Sequence, residues 1–128
     1  MERRRRLGTL RFFNDDENDV HFTGIFDGNN MTISGLFINQ PDTDSVGLFG
    51  YMDSGAKILN MKLADVNVTG RNFVGGLVGV NSGGTITNSH VEGAVAGSEN
   101  SEVIGGLVGW QYLGIISDFH TAGTVTGL

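Results

Sequence analysis

The sequence predicts an all-β fold, a parallel β-helix (solenoid) of about four coils of 23–30 residues each, and three observations carry that expectation. The string GGLVG occurs at Gly75–Gly79 and returns at Gly105–Gly109. A second block follows each copy, ITNSHVEGAVAG at Ile86–Gly97 and ISDFHTAGTVTG at Ile116–Gly127. Between the glycines, Val, Ile, Thr and Phe fill short runs that alternate in the period of a pleated strand, as Val66 and Val68 do with Asn67 and Thr69. One such unit cannot bury its apolar face alone, so copies stack on one another. The 21 glycines show no triplet period, which excludes collagen, and their spacing would repeatedly weaken a helix.

Taken in order, residues 1–22 do not match the repeat and form a non-repeat N-terminal segment, while residues 23–128 are repeats. Within that segment, Asn14–Asp19 (NDDEND) reads as an acidic loop. The first, degenerate copy is TGIFDG at Thr23–Gly28 followed by ISGLFINQ at Ile33–Gln40. The second is VGLFG at Val46–Gly50 followed by ILNMKLADVNVTG at Ile58–Gly70. The third and fourth begin at Val74 and Ile104.

In a parallel β-helix each strand pairs with its equivalent one coil away, at about 4.8 Å, so repeat alignment reads as register. One interior ladder is then Ile33, Ile58, Ile86 and Ile116, and a second is Ile25, Leu48, Leu77 and Leu107. Asn60, Asn88 and Asp118 form a polar row, in which asparagines hydrogen-bond along the axis and tolerate bend conformations. Asp118 breaks that row, which places solvent beside it in the last coil.

The GGLVG block, the Ile-x-Asn-Ser block and the Gly-x-Val-x-Gly block together resemble the GLUG-motif family. The resemblance is strong over about residues 74–127, moderate over 46–70 and weak over 23–40. Phe26–Ile38 (FDGNNMTISGLFI) is also similar to the stretch that precedes such repeats. The resemblance implies a passive β-helical scaffold within large secreted or surface proteins of bacteria and archaea, such as haemagglutinin-type adhesins and the non-catalytic regions of immunoglobulin A metalloproteases. It transfers no catalytic residue, because the motif contains none.

The residues themselves point to no catalysis, cofactor or metal. His21, His90 and His120 are not in an HExxH arrangement, so the zinc ligands of a metalloprotease are lacking. His90 and His120 share one repeat position, but Lys62 precedes them there, and the row reads as an exposed basic one. Neither the calcium-binding nonapeptide nor the EF-hand frame fits, at Gly83–Thr85 or at Asn14–Asp19. Asp27, Asp53, Asp65 and Glu92 do not recur at one repeat position, so no acid/base pair of a glycan-cleaving β-helix can be assembled. Thr124-Val125-Thr126 is a single instance, not the flat array of an ice-binding helix.

Charge is divided unevenly. Residues 1–13 carry five Arg and one Glu, whereas the remainder carries three cations against 13 acids. An acidic body excludes nucleic acid as the main partner. No stretch is apolar enough for membrane insertion, Leu7–Phe13 is too interrupted for a signal peptide, and there is no Cys for a disulfide or thiolate site.

The expected function is a non-catalytic structural or adhesive module of a secreted or cell-surface protein. The alternative is an accessory substrate-binding region of a larger surface protease or glycan-active enzyme, and a third reading is a gene remnant. The end at Leu128 and the lack of a signal suit a fragment of a longer extracellular or surface parent. The expected partners are a host or cell-surface protein or glycan, with end-to-end self-association through an open last coil. Two variable corners are candidates for binding: Pro41–Ser45, Arg71–Phe73 and Ser98–Val103 at one, and the positions after GLFG/GLVG at the other. The second corner carries Tyr51, Trp110 and Tyr112, residue types favoured in contacts.

Overall fold

The computed structural model describes residues 21–98, 101 and 103–127, which form strands, turns, bends and irregular connections, with no helix among them. The basic stretch 1–13 and the acidic cluster Asn14–Asp19 lie outside the described residues. Ten strands run β1 Ile25–Asp27, β2 Thr32–Ser34, β3 Phe37–Asn39, β4 Phe49–Met52, β5 Lys57–Leu59, β6 Lys62–Gly70, β7 Val78–Ser82, β8 Thr85–Gly97, β9 Val108–Tyr112 and β10 Ile115–Thr126. Every strand pair among them is parallel, and each joins one coil to the next.

One side of the solenoid is the three-stranded sheet β4-β7-β9. The rest is a continuous sheet centred on β8, which takes β5 and β6 of the preceding coil along its two halves and β10 of the following coil along its whole length. The strands wrap around corners because single residues adopt left-handed conformations there. Asn60, Asn88 and Asp118 do so at one corner, with φ of 59°, 50° and 53°. Asparagine and aspartate visit this region more readily than other non-glycine residues, which fits their recurrence at this position.

The solenoid makes about three turns, not the expected four, and the first copy is where the difference arises. Repeat alignment set Thr23 against Val46, 23 residues on. The actual partners lie 30 to 32 residues on: Ile25 opposite Lys57, Thr32 opposite Lys62 and Phe37 opposite Asn67. TGIFDG therefore lies beneath the β5 side rather than beneath GLFG. It is Phe22, just before the first copy, that bridges Met52 and reaches the three-stranded side. Two expected ladder members consequently move. Ile25 is 70% exposed, and Ile33 pairs with Leu63 instead of Ile58.

The other ladders stand as the repeat predicts. Ile58, Ile86 and Ile116 are in register, the first two fully buried and the last half-buried. Phe26, not Ile33, completes this column opposite Ile58. Leu77 and Leu107 are buried, and Leu48 packs against the same core. Val46, Val74 and Ile104 add a third column through isolated bridges at the entry to each GLFG or GLVG block.

Glycine is required where coils touch backbone to backbone. A Cβ on Gly79 would lie 2.7 Å from the Gly50 carbonyl oxygen and 2.7 Å from the Val46 amide nitrogen of the coil below. No side chain fits such an approach, so the final glycine of GGLVG recurs. Gly93 has a φ of 140° and sits where the register of β6 and β8 shifts by one residue between Leu63 and Val66, next to Asp65. The extra residue is absorbed there as a bulge.

At the outer rung, β9 and β10 have one paired edge each among the described residues. β10 is exposed along almost its whole length, with Ile115, Phe119 and Val125 all more than half exposed. An unpaired strand edge of this length presents free backbone donors and acceptors.

Candidate functional site: an aromatic face on the three-stranded sheet

The β4-β7-β9 sheet places Tyr51, Val80 and Trp110 directly opposite one another in successive coils. Residues facing each other across a ladder project to the same side and interact. Val80 is only 1% exposed, although it lies outside the continuous apolar cluster that fills the coil. Its burial fits cover by the aromatic rows on either side of it. Trp110 is 44% exposed, and Tyr112, two residues along the same strand and opposite Ser82, is 54% exposed.

Of the three residues expected at this edge, two come together. The Trp110 and Tyr112 rings lie 6.0 Å apart and tilted by 49°. Tyr51 stands two rungs away and stacks instead on His21, at 4.0 Å and 22°. His21 in turn meets Asp53 through Nδ1, at 3.2 Å.

Phe73 belongs to this face although sequence reasoning assigned it to the other variable corner. It has a left-handed φ of 59° and stacks on Trp110 at 5.2 Å and 24°. Gly109 makes this approach feasible, because a Cβ there would lie 2.7 Å from the Phe73 carbonyl carbon. The two corners that appear separate along the repeat are thus joined through Phe73 and Trp110. The missed signal was the pairing of a coil's entry residue with the residue after GLVG in the next coil.

The first variable corner is tied down by polar contacts. Arg71 donates to both carboxylate oxygens of Asp44, through Nε at 2.9 Å and a terminal guanidinium nitrogen at 3.1 Å. This hydrogen-bonded guanidinium holds the Asp44 carboxyl below the usual carboxylate range. Ser98 donates through its hydroxyl to the Pro41 carbonyl at 2.6 Å, linking corners two coils apart.

The candidate carboxylates are distributed over several surroundings. Asp27 accepts from Asn60 Nδ2 at 3.0 Å and from the Asn29 amide at 2.8 Å, and these bonds depress its pKa. Asp53 is engaged with His21, while Asp65 and Glu92 flank a shallow hollow elsewhere. Among the described residues, no group of three potential metal ligands converges. No helix among them is long and apolar enough to cross a membrane.

Residues 70–96, from the last residue of β6 to the penultimate residue of β8, match the GLUG motif. The chain is 42% identical over 85 residues to Halomucin of Haloquadratum walsbyi, an alignment that covers 66% of this chain and 1% of that protein. It is 35% identical over 79 residues to a protein of Evansella cellulosilytica named as a Gly-rich membrane protein, covering 59% of this chain and 9% of the relative. The chain therefore spans only a small part of the length of either relative. No solved structure matches it significantly.

Proposed function

We propose that this chain, which carries the GLUG motif at residues 70–96, is a non-catalytic structural and adhesive segment of a cell-surface protein, and that it acts as part of a longer parent. The names of its relatives, a halomucin and a membrane protein, support a surface setting. The stacked architecture supports a spacer role, since most repeated positions are spent on ladders and corners rather than on convergent chemistry.

One observation carries the adhesive half of the reading. Phe73, Trp110 and Tyr112 form a contiguous aromatic strip on the outside of the solenoid. Exposed Trp and Tyr combine large contact area with a polar tip and dominate many contact surfaces. Their partner is a cell-surface protein or glycan. The test replaces Trp110 and Tyr112 together with Ala, confirms strand content by circular dichroism, and measures binding to immobilised glycans and matrix proteins. Loss of binding by a folded double variant is the expected result. Undiminished binding removes this face from consideration.

A further inference from the structure

We propose that His90 and His120 form a two-imidazole site for a divalent first-row transition ion that ties the last described coil to the one beneath it.

The two residues lie directly opposite on β8 and β10, and their ring centres are 5.7 Å apart with a tilt of 44°. Ser89 and Val91, on either side of His90, are buried, so strand alternation directs the imidazole outward. Neither imidazole has a hydrogen bond or ion pair with another described residue, which leaves their nitrogens available. A metal about 2 Å from one nitrogen of each ring lies about 3 Å from each ring centre, so ligand angles near tetrahedral hold the centres about 5–6 Å apart. The observed separation falls within that interval, and the parallel register places the two residues directly opposite each other.

The surroundings define the ion. Lys62 lies opposite His90 on the side away from His120, and Thr32 and Glu92 line the same groove. A nearby ammonium opposes any cation, and the only neutral nitrogen donors are the two imidazoles. Hard ions such as Ca²⁺ and Mg²⁺, which need several oxygen ligands, are therefore disfavoured, while Cu²⁺, Ni²⁺ and Zn²⁺ suit imidazole. With two protein ligands, the remaining positions fall to water, and the affinity is modest. An ion that bridges two coils and binds only the folded chain raises stability by linkage.

The test titrates Cu²⁺ alone into the whole chain in a non-chelating buffer and follows the thermal midpoint and the electron paramagnetic resonance spectrum. The expected result is a raised midpoint and hyperfine coupling to two nitrogens. His90→Ala and His120→Ala each weaken binding at least tenfold, whereas His21→Ala leaves it unchanged. His120→Gln, on the exposed outer strand, gives the same readout if His90→Ala does not fold. No midpoint rise, a rise that survives His120→Gln, or a rise lost in His21→Ala overturns the proposal.

Discussion

Asn88 donates through Nδ2 to the Oδ1 of Asn60 at 2.7 Å, linking the same corner in two successive coils. Asn60 passes the pattern on to Asp27 at 3.0 Å, so the row runs down the axis as a chain of side-chain hydrogen bonds. Each asparagine also relieves the left-handed backbone at its corner. Replacing Asn88 with Ala removes both contributions and should lower unfolding free energy by roughly 1–3 kcal/mol. Asn88→Gly keeps the backbone freedom and loses only the bond, so it should cost less. Urea unfolding of both variants checks this, and an Ala variant as stable as the Gly variant would contradict the backbone share.

Leu77 is completely buried between Leu48 and Leu107 in the same column. Leu77→Ala should cost on the order of 2–5 kcal/mol through lost transfer energy and the cavity left behind. Leu107 has a coil on one side only among the described residues, so Leu107→Ala should cost less. A denaturation midpoint that Leu77→Ala leaves unchanged would refute the packing of this ladder.

The Asp44–Arg71 pair makes a pH-dependent contribution with a definite sign. The folded-state pKa of Asp44 is lowered from 3.8 because the Arg71 guanidinium hydrogen-bonds its charged form. Its stabilising share is thus fully present above the unfolded value and is lost as pH falls through the lower folded value. Arg71 and Asp44 are both substantially exposed, so solvent screens the pair and the share is small. Carbonyl-detected NMR titration of Asp44 should show its midpoint rising in Arg71→Ala. An unchanged midpoint would mean that Arg71 does not set it.

The outer edge of β10, unpaired among the described residues, should make the isolated chain self-associate. Twelve residues of strand present unpaired backbone groups beside exposed Ile115, Phe119 and Val125. Sedimentation velocity over a range of concentrations should show mass rising with concentration. Strictly monomeric behaviour at the highest concentration would count against an adhesive edge.

What the sequence determined by itself was whatever recurs. Copies of near-identical text must place like side chains one strand spacing apart. The parallel all-β class, the Ile58–Ile86–Ile116 and Leu77–Leu107 columns and the Asn60–Asn88–Asp118 row were therefore legible before any coordinates. Register in the first copy was not legible. TGIFDG and VGLFG each set an apolar pair between glycines, and only backbone pairing reveals that Ile25 sits over Lys57. The aromatic face was half legible. Trp110 and Tyr112 are near neighbours along one strand, whereas Phe73–Trp110 and His21–Tyr51 join positions that are not equivalent in the repeat. The Phe73–Trp110 contact depends on where a left-handed corner aims a ring across the neighbouring coil. That direction is a property of the closed three-dimensional turn, and the repeat period carries no record of it.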